Sequence, residues 1–233
     1  MDVRSLMRSN NAWFKDFITR LTYHSNAIEG NTLSYADTYA ILWNDSSMKV
    51  TATARELYEA INHKYALSLA LDHLDELLTE RLVKDIAILV NKNINEIDGY
   101  RRTGVFITTS EYVPPAASQI NGLMMQLVHE YNQRESMDAF EREAWFHIKF
   151  EHVHPFADGN GRTGRILMNR GLMSAGQPPV VISVDDKRSY IQMIEEYDYD
   201  ALANLLRELS NREAIRMADF EAIARDQEQR HRG

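Results

Sequence analysis

Residues 154–165 read His154-Pro155-Phe156-Ala157-Asp158-Gly159-Asn160-Gly161-Arg162-Thr163-Gly164-Arg165, an imidazole, a carboxylate, three glycines and two guanidiniums in twelve positions. A packed core segment has no use for that mixture. Gly159, Gly161 and Gly164 free the backbone for positive φ and for close approach to a ligand, and Asn160 tolerates the left-handed region between two of them. Backbone N–H nests for anions are built this way. Ile166, Leu167 and Met168 resume a helical pattern, so a helix start at about Gly161 directs unpaired N–H groups into the loop, where polyphosphate is the natural guest. Arg162 and Arg165, three apart, carry forks suited to phosphate oxygens. Asp158 has the wrong charge for an anion site unless a hard cation such as Mg²⁺ stands between it and the phosphates. His154 is the one group in the stretch that exchanges a proton near neutral pH.

The chain has 233 residues, 44% of them hydrophobic, enough for one substantial core and one domain. Its formal charge of -8 lacks the basic footprint that nucleic acid or an anionic membrane requires. There is no cysteine, which excludes disulfides and thiol chemistry and fits a reducing cytoplasm. No apolar run of membrane-spanning length and no secretory h-region occurs, so a soluble cytoplasmic protein is expected.

Outward from the central stretch the pattern is helical. Trp13, Phe14, Phe17, Ile18 and Leu21 predict a helix from about Asn11 to Glu29, closed by Gly30. Glu29 stands at the unfavourable end of that helix's dipole unless a cation receives it. Capping boxes at Ser34 and Thr53 open helices near 34–44 and 53–78, the second with Leu57, Ile61, Tyr65, Leu67, Leu71 and Leu74 as its buried face. Thr79 caps the next. Helices then follow from Ala116, from Ser136 to the approach of His154, from Asp185 to Tyr197, and over 200–209 and 211–227. Tyr197 is expected in the core, and structural roles are expected for His147 and His152. Only Val105 to Val113, stopped by Pro114-Pro115, has β character.

The twelve residues resemble, position for position, the signature H-x-F-x-D-G-N-G-R-x-x-R of the Fic (filamentation induced by cyclic AMP) family. Ser25-Asn26-Ala27-Ile28-Glu29-Gly30 resembles that family's inhibitory motif, Ser/Thr-x-x-x-Glu-Gly/Asn, in the subclass with an N-terminal inhibitory helix. The resemblance implies an all-α Fic fold of about nine helices with a small β-hairpin flap. It implies one domain over 1–233, with the inhibitory helix at about 11–30 and the flap at about 103–113.

It also implies a protein adenylyltransferase that moves AMP from ATP to a Ser, Thr or Tyr hydroxyl of a target protein, with self-modification as a further implied outcome. In that scheme His154 is the base and Asp158 holds Mg²⁺. The nest at Gly159, Asn160 and Gly161 stabilises the α-phosphate. Arg162 holds the β-phosphate side, with Thr163 and Gly164 in the same binding loop. Arg165 binds the γ-phosphate unless Glu29, with Ser25, occupies it. Tyr190 and Ile191 are implied at the adenine, with Asp198, where relatives often have Asn, near the base's edge. Thr109, Ser110, Glu111 and Tyr112 belong to the flap, Thr109 replacing a frequent Gly, and clamp an extended target by main-chain pairing. Removal of AMP, transfer of another nucleotide, a non-catalytic ATP-binding regulator and a homo-oligomer remain open readings.

Overall fold

The computed structural model describes residues 11–45, 47–105 and 112–232, and within them every regular element is helical. Nine α-helices follow one another: α1 (Asn11–Ile28), α2 (Tyr35–Trp43), α3 (Ala54–Asp72), α4 (Glu80–Asn91), α5 (Ile120–Asn132), α6 (Ala139–Val153), α7 (Asn160–Ser174), α8 (Lys187–Glu195) and α9 (Tyr199–Arg232). Single 3₁₀ turns, Ala117–Gln119 and Val184–Asp186, lead into α5 and α8. Residues 106–111, which hold Thr109, Ser110 and Glu111 of the expected hairpin, lie outside the described residues.

The helix α7 occupies the centre. Thirteen of its fifteen residues are buried, polar ones included, and it packs against α1, α3, α4 and α6. A helix buried on every side needs internal partners for its polar groups and small residues where neighbours approach. Gly164 and Gly171 meet the second need. A Cβ on Gly164 would stand 2.8 Å from Glu151 Oε1 and from His147 Cε1, and one on Gly171 would collide with the Glu143 carboxylate. Neither glycine has positive φ, nor does Gly161; in the central loop only Gly159 does, at φ 75°. The left-handed backbone expected at Asn160 is absent too, because that residue already begins the helix.

Two apolar clusters flank α7. The larger joins Trp13, Phe17 and Leu21 of α1 to Val83, Ile86 and Val90 of α4 and to Phe146 and Phe150 of α6. The smaller joins Ile148, Met168 and Leu172 to Tyr190, Leu202 and Leu206. Both capping boxes form as their sequences predict, Ser34 with Asp37 and Thr53 with Glu56.

Elsewhere the pattern misled. The helix α3 ends at Asp72 rather than near 78 and turns Glu59, Ala60, Asn62, His63 and Ala66 inward, leaving Leu57 and Tyr65 exposed. The buried polar groups have distant partners: Glu59 pairs with Arg162 of α7, Asn62 donates to the Val90 and Lys92 carbonyls at the end of α4, and His63 meets Thr22 of α1. The cap of α6 is Asp138, which accepts from Phe140 N and Glu141 N, rather than Ser136. The expected break near residue 210 is absent, since Ser210 Oγ donates to the Pro178 carbonyl at 2.8 Å and α9 runs through. Tyr197 is 40% exposed in a left-handed turn and stacks on His152 instead of entering the core.

The helices α1 and α9 are clasped by charge. Trp13 Nε1 and Arg20 both donate to Glu213, and Asp16 accepts from Arg20 and Arg216, at 2.7 to 3.0 Å. This fixes the N-terminal half of the first helix before the chain delivers Ser25 and Glu29 to the centre.

Candidate functional site

The helix α6 ends at His154, whose backbone is left-handed at φ 47° and whose N–H still bonds the Phe150 carbonyl. A non-glycine residue in that region carries strain that the surroundings must hold. Here the strain throws the imidazole out of the helix line, with Nδ1 3.3 Å from the Glu151 carbonyl. A carbonyl only accepts, so Nδ1 carries the proton and Nε2 keeps its lone pair. Burial is the main cause holding the imidazole below its usual 6.5, opposed by the Glu151 carbonyl and reinforced by the Arg101 charge. The ring is therefore neutral at pH 7 and able to take a proton.

Six residues later α7 begins. Asn160 latches the loop, its Oδ1 accepting from Phe156 N and its Nδ2 donating to Phe156 O, both at 2.9 Å. Its side chain is thereby committed to shaping the turn. Asn91 of α4 donates to the Asp158 carbonyl at 3.1 Å, and a Cβ on Gly159 would stand 2.9 Å from it, so glycine is required there for space as well as for φ. The first helical bond, Thr163 N to Gly159 O, leaves the N–H groups before it directed outward.

A cavity of about 400 Å³ opens onto that helix start. His154, Asp158, Gly159, Asn160, Gly161 and Arg165 line one side, Glu29 with Ile28 a second, and Tyr190 with Ile191 a third. Tyr112 completes the wall and donates to the His152 carbonyl at 3.2 Å. The two arginines part company. Arg165 Nε and Nη2 donate to Ser25 Oγ at 2.9 Å and to its carbonyl at 2.8 Å, and Nη2 also meets Glu29 Oε1 at 2.7 Å. Gly161 allows this approach, because a Cβ there would overlap the Glu29 carboxylate.

Arg162 lies behind the cavity wall, 3.2 Å from Glu59 and 3.1 Å from Asp158. Thr163 and Gly164 are packed beneath the cavity, and Asp198 accepts from Ala201 N at the start of α9, away from the lining. His147 is fully buried against the Tyr190 hydroxyl at 2.5 Å, a structural position for the ring.

Several residues of the site went unread in the sequence. Lys187, Ile194 and Glu195 share the face of α8 that Ile191 marks, at offsets of four, three and four, a register that could have named them. Arg101 donates to the carbonyls of His154, Thr103 and Pro115 at 2.8, 3.0 and 2.6 Å, tying the described chain on either side of residues 106–111 to the histidine loop. Nothing in its spacing announces that.

Glu151, one turn before His154, also lines the cavity, and its Oε1 has no hydrogen-bond partner among the described residues. Burial pushes its carboxyl up to about 8, against the opposing Arg165 charge. A folded-state value above the unfolded one means that Glu151 binds its proton more tightly in the native protein. That stabilisation is complete below about pH 4.5 and is lost as pH rises through about 8. Glu151→Gln should therefore flatten the decline in melting temperature between pH 6 and pH 9 measured by calorimetry. An unchanged decline would relocate the titrating group, and fully buried Glu143, pushed up to about 7, is the alternative source.

A helical domain that presents an imidazole and a helix N-terminus to a cavity of anion size is the class this geometry defines. The chain belongs to the Fic/DOC family, whose description matches residues 77–172. It is 34% identical over 74% of its length to protein adenylyltransferase Fic of Drosophila grimshawi and 33% identical over 79% to that of Nematostella vectensis, covering 36% and 44% of those proteins. It thus spans less than half the length of these relatives. Among solved structures, Fic-1 (residues 134–508) of Caenorhabditis elegans superposes at TM-score 0.76 with 25% identity, over 97% of this chain and 68% of that one. A Fic-domain protein of Bacteroides thetaiotaomicron shares the fold at TM-score 0.70 over 96% of this chain and 95% of its own.

Proposed function

We propose that the protein transfers AMP from ATP to a side-chain hydroxyl of a protein, releasing pyrophosphate. The observation that carries this reading is His154 Nε2, neutral and unoccupied by its own Nδ1 contact, at the rim of a cavity floored by the α7 N-terminus. In the reaction the target hydroxyl oxygen bonds to the α-phosphorus, its proton passes to Nε2, and the bond from the α-phosphorus to the bridging oxygen breaks with pyrophosphate as leaving group. N–H groups at the start of α7 face negative charge that grows on the α-phosphate oxygens.

Mg²⁺ fits the donor set as a cation carried by the nucleotide. Among the described residues no cluster of three metal-ligating side chains exists, while Asp158 presents one partly exposed carboxylate at the cavity. Mg²⁺ needs only one or two carboxylates when phosphates and waters supply the rest. Bound there it would offset phosphate charge. Arg165 is the guanidinium suited to the γ-phosphate, and its bond to Glu29 supports self-inhibition: the same fork serves carboxylate or phosphate, not both. Tyr190, Ile191 and Ile194 supply an apolar wall for a purine.

Incubation with ATP labelled at the α-phosphate, or separately at the γ-phosphate, tests the assignment. The α-label alone should become attached to protein, with a mass gain of one AMP. Retention of the γ-label instead would make the reaction phosphoryl transfer and overturn the reading.

A further inference from the structure

Arg55 sits in the first turn of α3, over half exposed, yet its guanidinium reaches the centre. Its Nη2 donates to Asp158 Oδ2 at 2.9 Å, and its Nε donates to Glu59 Oε1 at 2.9 Å. Asp158 Oδ1 is taken by Gly159 N at 2.6 Å and by Arg162 at 3.1 Å, and Arg162 returns to Glu59 at 3.2 Å. Two carboxylates and two guanidiniums thus close a ring. Three of its members are held from elsewhere: Asn31 donates to Glu59 Oε2, Arg162 is buried in α7, and Asp158 is fixed by its own loop.

Oδ2 is the outer oxygen of Asp158, and the contact on it comes from the ring's one mostly exposed arm. That oxygen is also what a phosphate-borne divalent cation requires. A cation and a guanidinium repel, so they cannot share it at hydrogen-bonding distance. Arg55 has a place to rest, because its bond to Glu59 survives a swing of the outer nitrogen.

Resting on the nucleotide-site reading above, we propose that Arg55 is an internal stand-in for the divalent cation, occupying Asp158 until a metal-bearing nucleotide displaces it and so setting the Mg²⁺ concentration at which nucleotide binds. The site then admits a polyphosphate only together with its cation, since metal-free phosphate supplies nothing to release Asp158.

The test is calorimetric binding of ADP, which lacks the γ-phosphate that Glu29 opposes, across a Mg²⁺ titration in the wild type, Arg55→Gln and Arg55→Lys. The half-saturating Mg²⁺ concentration should fall about two- to fivefold in Arg55→Gln, the scale of a partly exposed ion pair, and stay near the wild-type value in Arg55→Lys. An unchanged or increased Mg²⁺ requirement in Arg55→Gln overturns the proposal. So does a loss of ADP affinity in that variant in EDTA, which would make Arg55 a direct phosphate ligand. If the wild type binds no Mg·ADP, the nucleotide-site reading itself fails, an outcome distinct from either of these.

Discussion

Replacing His154 with alanine should lower AMP transfer about 10²- to 10⁴-fold while leaving Mg·ATP affinity nearly unchanged. The backbone of His154 caps α6 and survives the change, and the ring's hydrogen bond goes to the carbonyl three residues back, at the cavity rather than in either apolar cluster. The cavity keeps its helix start, Arg165 and Tyr190, which are the groups that would hold nucleotide. A parallel loss of binding and transfer would mean that His154 shapes the site rather than accepts the proton. The acid side of the pH profile is a second check. Because burial holds the imidazole below 6.5, it remains a base on the acid side of neutrality, and the wild-type rate should fall only at a pH under 6.5.

Glu29→Gly should raise self-modification by about tenfold. A charge-assisted hydrogen bond is worth about 1.5–3 kcal/mol. The lower end applies to Glu29, whose side chain is 38% exposed and screened by solvent, and it corresponds to roughly a tenfold gain in competition for the guanidinium. The variant leaves Ser25 on Arg165, so the fork stays oriented while its outer edge becomes available. The measurement is incorporation of α-labelled AMP at fixed ATP, with Glu29→Asp as the intermediate case. Equal incorporation by the wild type and Glu29→Gly would make Glu29 a structural cap on α1 and no brake.

The two motifs that stand out in the sequence, 154–165 and 25–30, do meet in space, and Arg165 is where they meet. The first stretch was legible in its own residue types, which a core does not need, whereas the second stood out only through its resemblance to the family's inhibitory motif. Arg162 was harder, since the periodicity that places both arginines at a helix start says nothing of which faces the cavity and which the packed interior. Glycine was legible as an exception but not in its reason. Gly159 uses its φ, whereas Gly161 and Gly164 are helical and small because Glu29, His147 and Glu151 press on them. The helix α3 shows the same limit in reverse. Leu67 and Leu74 are buried as their spacing suggests, but Leu57 and Tyr65 are not, because Glu59, Asn62 and His63 turn inward to meet Arg162 of α7, the carbonyls at the end of α4 and Thr22 of α1. Such demands arise between elements far apart in the chain, and no local period records them.

The clasp between the first and last helices limits how any release can happen. With Trp13, Asp16 and Arg20 moored to Glu213 and Arg216, the whole rod cannot lift away without exposing aromatic surface. Its terminal turn, where Glu29 gives way to Gly30 at φ 96°, lies beyond that clasp. On the proposed inhibition, freeing Arg165 then asks for no more than a swivel of the Glu29 side chain, which is already 38% exposed, so the control would work more as a dimmer than as a latch.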